Sequence, residues 1–202
     1  LAVTVPAMVI TGYFGGAWMG WHYRIGYAVL TLLLFRLVWG FVGGYWSRFT
    51  HFVRRPWAVV AYLRLGNAGA SVGHNPLGAY SVLSMLLALL AQAASGLMSD
   101  DEVLSAGPLV HKVPEGLVRV MSYLHTGPVK LVVILLVCMH LLAIAWYRLR
   151  RQENLISPMI LGDKKLERCA VASRDDCQAR GLAVFLVLAC AALVAALLAW
   201  AR

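Results

Sequence analysis

Apolar residues run in long blocks along this chain, and polar residues gather between the blocks. Blocks of about 20 apolar residues, the length a helix needs to cross a hydrocarbon core of about 30 Å, fall at 23–44, 77–98, 123–148 and 181–200. Each predicts a membrane-spanning helix. Residues 1–14 are also apolar, but at about 1.5 Å per residue they reach only about 21 Å. They read as the second half of a fifth span, or as a re-entrant or interfacial helix. The ten-residue alternating strands of a membrane barrel are missing, and helices are the other way to satisfy a backbone in lipid. The expected fold is therefore all-α, an integral membrane helical bundle. Pro76 suits the first turn of one helix, Gly43-Gly44 the end of another, and Gly12-Tyr-Phe-Gly-Gly a turn between two helices.

Composition agrees, since 61% of the 202 residues are hydrophobic and 13% charged, against about 25% charged in a soluble domain. A water-soluble globule is excluded. The net charge of +9, from 18 Lys+Arg against 9 Asp+Glu, would suit nucleic acid if it formed one patch. Instead the basic residues sit between apolar blocks, where they act as topology signals facing anionic lipid. Arg48, Arg54, Arg55 and Arg64 lie in the connection 45–76, and Arg150, Arg151, Lys164, Lys165, Arg168, Arg174 and Arg180 in 149–180. Both connections are expected on the cytoplasmic side, with the C-terminus outside. On the other side, Lys112 and Arg119 are offset by Asp100, Asp101, Glu102 and Glu115. The four cysteines leave the redox compartment open, and no Cys-x-x-Cys-His string exists, which excludes covalent haem of the c type. The opening at Leu1, with no basic n-region, reads as a cut inside a helix rather than as a secretory precursor. A transporter would show inverted repeats, interrupted helices or acidic midplane residues, and the sequence gives no sign of any of them.

Of six histidines, His22, His74, His125 and His140 lie in or at the ends of apolar blocks, where ionisable groups are expensive and commonly functional. The plainer alternative for each is a hydrogen bond to a neighbouring helix. His125 and His140 fall in one expected helix, about 22 Å apart and about 60° from whole turns, so they share a face at opposite leaflets. His125 and His22 match in depth near the outer surface. A haem between them would have two neutral imidazoles as axial ligands, as in low-spin electron-transfer haem. His140 needs another partner. His74 is about 12 Å too shallow, so a histidine just upstream of Leu1 is expected instead. Arg36 lies about 21 Å below His22 and about 40° off its face, with no acidic residue inside any block to balance it. A haem propionate would supply that charge, while snorkelling to the inner interface is the plainer alternative. Gly26 and Gly127, close in sequence to His22 and His125, leave room for a flat macrocycle or serve helix packing. Trp18, Trp21, Tyr45 and Trp46 read as interfacial belt residues, and His51 and His111 as solvated loop residues.

Several strings now stand in order: Trp21-His22-Tyr-Arg-Ile-Gly26-Tyr27, Phe35-Arg36-Leu-Val-Trp39-Gly40, Gly73-His74-Asn75-Pro76-Leu-Gly78, and Glu153-Asn154-Leu155 followed by Met159-Ile-Leu-Gly162-Asp-Lys-Lys165. With His125 and His140 between them, residues 1–166 resemble the prokaryotic cytochrome b561 family, related to the cytochrome b subunits of nickel-iron hydrogenases. The resemblance implies a four-helix haem-binding core with two b-type haems in a bacterial inner membrane. Electrons would pass between the quinone pool and an outer-face partner such as a c-type cytochrome or a hydrogenase-like oxidoreductase, with no role for nucleic acid. It also implies His22 and His125 as outer haem ligands and His140 as one inner ligand. The family's further ligand stands in a Phe-His-Trp-like string that would fall just upstream of Leu1. His74 matches a recurrent motif suited to a propionate, a quinone or loop structure before iron. Residues 167–202 are left as a cytoplasmic linker and an extra C-terminal transmembrane helix. A superoxide oxidase-type quinone reductase, and a non-catalytic anchor of a larger redox complex, are the alternative functions.

Overall fold

The computed structural model describes residues 1–65, 75–102, 105–150, 152, 154–161 and 174–202. His74 and Gly73, Arg151, Glu153, the string 162–165, Arg168, Cys169 and the expected boundary at 166/167 lie outside the described residues. In chain order the helices are α1 Thr4–Phe14, α2 Met19–Val42, α3 Phe49–Phe52, α4 Pro56–Leu65, α5 Pro76–Leu97, α6 Glu115–Thr126, α7 Pro128–Arg150, α8 Ile156–Leu161 and α9 Cys177–Ala201. Among the described residues there is no strand, only an isolated bridge between Asp100 and Ala106. Four helical stretches are long and apolar enough to cross a membrane: Gly16–Val42, Pro76–Leu97, Glu115–Arg150 and Cys177–Ala201. The protein is an all-α membrane bundle, as expected.

One expected helix is interrupted, which corrects the reading of every span as unbroken. The third crossing starts at Glu115 and is interrupted at Gly127, where φ is −116° and ψ −104°. Pro128 lacks an N–H and disfavours helical geometry in the residue before it, so α6 stops and α7 restarts. His125 therefore ends α6 while His140 lies within α7. The common face expected of a single straight helix does not apply to them.

The chain reverses between α1 and α2 at Gly15 and Gly16, whose φ values of 59° and 48° favour residues without a Cβ. α1 then packs back along α2, α2 meets α5 and α9, and α5 meets α6 and α7. Val5, Val29, Leu33, Leu86, Leu89 and Val133 form the core where α1, α2, α5 and α7 converge. Large side chains such as Phe41, Leu87, Leu142, Phe185 and Leu188 point outward, which suits helices whose solvent is lipid as apolar as leucine. At the basic end, Tyr62 and Tyr147 share a hydroxyl hydrogen bond of 2.9 Å, and the Asn75 side-chain amide donates to Tyr147 at 2.6 Å. Asn75 also caps α5 by accepting from the Gly78 N–H at 2.6 Å, ahead of Pro76 in the first turn.

α9 begins on an acidic cap. Asp176 accepts from the Ala179 N–H at 2.8 Å and pairs with Arg174 at 2.7 Å, while Asp175 pairs with Arg180 at 2.9 Å. The Ala179 amide holds the Asp176 carboxyl below the ordinary carboxylate value, and Arg180 does the same for Asp175. A depressed value in the folded state means that the cap's contribution is complete above about pH 4, where an unfolded aspartate ionises, and fades as pH falls below it. Asp176→Ala should therefore speed amide exchange in the first turn of α9 several-fold at neutral pH. The difference from wild type should shrink only in more acid solution. Equal protection at neutral pH, after correction for intrinsic exchange, would show that the cap contributes nothing.

Candidate functional site

Two helical hairpins each hold one histidine. In the first, His22 sits in the opening turns of α2 and the returning α1 lies beside it. Its Nδ1 donates to the Met8 carbonyl at 3.1 Å, and the Thr11 hydroxyl oxygen lies 3.3 Å from the same nitrogen. Gly12 faces the ring so closely that a Cβ there would stand 3.0 Å from Cε1. A carbonyl only accepts, so Nδ1 carries the proton and Nε2 keeps its lone pair.

The second hairpin repeats this. His125 ends α6, and its Nδ1 donates to the Gln92 carbonyl of α5 at 2.9 Å, with the Ser95 hydroxyl oxygen at 3.4 Å. The Gln92 amide returns a hydrogen bond to the His125 carbonyl at 3.0 Å. A Cβ at Gly96 would stand 2.6 Å from the ring's Cε1. The connection after α5 closes over this end: Gly107 N–H donates to Ser99 at 2.7 Å, Leu109 N–H to Leu97 at 2.9 Å, and Asp100 N–H to the Ser122 hydroxyl at 2.9 Å. Gly107 is needed for that approach, since a Cβ would lie 2.5 Å from the Gly96 carbonyl oxygen.

Packing of α2 on α5 brings the two imidazoles together, with ring centres 6.2 Å apart and planes at 85°. Metal–imidazole bonds run about 2.0–2.1 Å, so a metal between two Nε2 atoms needs ring centres roughly 6 Å apart. Among the described residues no three His, Cys, Asp or Glu side chains group as metal ligands. A lone imidazole pair suits a metal that brings its own equatorial ligands, as haem iron does. The residues present thus fit a haem.

The other expected site residues are scattered. Gly26 faces Met8, whose carbonyl holds His22, and a Cβ there would meet the Met8 methyl at 3.3 Å. At Gly127 a Cβ would meet the Tyr123 carbonyl at 2.9 Å, so this glycine serves the helix break. The glycines against the imidazoles are Gly12 and Gly96, which sequence reasoning passed over. Their available signal was a hydroxyl-glycine pair, Thr11-Gly12 and Ser95-Gly96, on the helix before each histidine. His140, in α7, is half-buried.

Arg36 donates to the Ser47 carbonyl at 3.2 Å and lies over the rings of Phe49 and Phe52, 5.2 and 5.9 Å from their centres. Neutral partners at the C-terminal end of α2 thus support the cation, through one hydrogen bond and two ring faces. Phe49 fits into the notch left by Gly40. His51, expected as a solvated loop residue, hydrogen-bonds the Tyr45 carbonyl at 2.8 Å and stacks on its ring at 4.0 Å. His111 is exposed, as expected.

A membrane bundle that brings two imidazoles within 6.2 Å, each with its Nδ1 already committed, has the makings of a membrane b-type cytochrome. The chain belongs to the prokaryotic cytochrome b561 family, whose model matches residues 1–162. Its members are membrane cytochromes that bind b-type haem and work in electron transfer. α9 lies beyond the matched residues. No curated protein and no solved structure matches the chain.

Proposed function

We propose that His22 and His125 together would hold one b-type haem near the periplasmic face. The protein then passes electrons across the inner membrane between the quinone pool and a periplasmic redox partner. His140 is one ligand of a second haem toward the cytoplasmic side, and the Arg36 fork has donors left for a propionate of that haem. The observation that carries this reading is the 6.2 Å separation of imidazoles whose Nδ1 atoms are both tied to backbone carbonyls. Bound haem supplies reversible one-electron storage at its iron. The chain's part is to hold the rings: the Met8 and Gln92 carbonyls keep both Nε2 lone pairs free, and the α2–α5 contact holds their spacing. Orientation rests on the basic end, where Arg48, Arg54, Arg55, Arg148, Arg150 and Arg174 gather near the ends of α2, α4, α7 and α9.

Detergent-solubilised protein should show a sharp b-type band on dithionite reduction, and acidified acetone should extract all of its haem. The haem-to-protein ratio should approach two and fall toward one in His140→Ala. Colourless protein from a haem-replete host, or haem that stays with the acetone precipitate, would sink the reading.

A further inference from the structure

We propose that Thr11 and Ser95 are positioning residues that act through the imidazoles of His22 and His125 to set the redox potential of the iron between them. The proposal rests on ligation of one haem by that histidine pair.

Two helices from different parts of the chain repeat one construction. On α1 the Met8 carbonyl, the Thr11 hydroxyl and Gly12 serve His22, and on α5 the Gln92 carbonyl, the Ser95 hydroxyl and Gly96 serve His125. In both, the carbonyl, hydroxyl and glycine follow an i, i+3, i+4 spacing, which places them on one helix face. Thr11 and Ser95 are also the buried polar side chains of the described residues, at 6% and 2% exposure.

A threonine or serine in an apolar helix commonly satisfies itself by bonding back to its own backbone, and both do so. Thr11 donates to the Ala7 carbonyl at 2.8 Å and Ser95 to the Gln92 carbonyl at 3.1 Å. Back-bonding is open to a hydroxyl on any face, however. It does not explain why both stand against an imidazole, each directly before the glycine that receives the ring.

The back-bond has a consequence for the histidine. With its hydrogen committed to a carbonyl, each hydroxyl can meet an Nδ1–H only as an acceptor. The contacts at 3.3 and 3.4 Å are longer than the carbonyl bonds at 3.1 and 2.9 Å. Each Nδ1–H is therefore shared, with the carbonyl as its stronger arm and the hydroxyl as its weaker one. Acceptors on Nδ1–H raise the basicity of the opposite nitrogen, and a more basic ligand favours ferric over ferrous iron. Removing the hydroxyl should raise the midpoint potential.

The test is a potentiometric titration of the haem-loaded protein in detergent, followed in the visible band that His22→Ala removes. Thr11→Val and Ser95→Ala should each raise the ferrous-to-ferric ratio at a fixed potential about threefold. The double variant should give about tenfold, which is a positive shift of about 59 mV for one electron. Thr11→Ser and Ser95→Thr keep the hydroxyl and should keep the wild-type potential, a rescue that mere space-filling would not produce. Ser95→Ala only removes an atom, so it decides the matter should the double variant fail to load. Unchanged or lowered potentials at full haem loading would overturn the proposal. If His22→Ala leaves every haem band in place, ligation by the pair is what fails. If it strips one band while the hydroxyl variants leave the potential unmoved, only the role of Thr11 and Ser95 is lost.

Discussion

Alanine at residue 22 and alanine at residue 125 are each expected to abolish the same low-spin haem component, and the double variant should look like either single one. Each imidazole would supply one bond to the same iron, and the two ring centres lie 6.2 Å apart. Two bonds to one metal act as a unit, so their losses do not add. Neither substitution should unfold the bundle. Neither histidine belongs to the core of Val5, Val29, Leu33, Leu86, Leu89 and Val133, and the Met8 and Gln92 carbonyls stay within helices that supply their own backbone bonds. Reduced-minus-oxidised spectra, with circular dichroism as the check on folding, read the outcome. Loss of different spectral components in the two single variants would show that the histidines belong to different haems.

Gly96→Ala is expected to have the second-largest effect, with opposite signs in two measurements. An alanine Cβ would stand 2.6 Å from Cε1, 3.0 Å from Nδ1 and 3.3 Å from Nε2 of His125. The imidazole is rigid, and the backbone that carries it is pinned by the Gln92 amide on the His125 carbonyl. The ring must swing away, giving up the Gln92 carbonyl and turning Nε2 out of line. Haem affinity should fall at least about tenfold, the lower end of what loss of an outer-shell partner does at metal sites. Helix propensity alone works the other way, because alanine is about 1 kcal/mol better than glycine inside a helix. Gly12→Ala should be milder, since its Cβ would lie 3.0 Å from Cε1 and 4.0 Å from Nε2 of His22, a crowding that a small ring movement relieves. Haem titration of the apoprotein separates the two effects, and wild-type affinity in Gly96→Ala would reduce this glycine to ordinary helix packing.

Much of this molecule follows from the order of its residues, because the relevant physics is local or is imposed by the bilayer. About 20 apolar residues must cross a hydrocarbon core as a helix whatever surrounds them, and the four long helical stretches fall on the blocks at 23–44, 77–98, 123–148 and 181–200. The cap of α5 is local too, with Asn75 accepting from Gly78 ahead of Pro76. The match of His22 to His125 is legible because rise per residue is fixed, so distance from a membrane surface can be counted along the chain. The break at Gly127 was open to the same local reading, since Pro128 disfavours a helical residue before it, but the apolar run passes straight through and hides it.

What only the tertiary structure decided is which face of each helix meets which neighbour. The carbonyl that holds His22 lies 14 residues away, and the one that holds His125 lies 33 residues away. Each is brought to its ring by hairpin closure, through Gly15-Gly16 in one case and the connection folded over Gly107 in the other. No periodicity in α1 or α5 marks Thr11-Gly12 or Ser95-Gly96, because a helix surrounded by lipid and other helices is apolar on every side. For the same reason Arg36 could be recognised from sequence only as a cation without an acid. Its partners, the Ser47 carbonyl and the Phe49 and Phe52 rings, follow from the chain turning back at the C-terminal end of α2, a matter of packing between segments rather than of any one segment's composition.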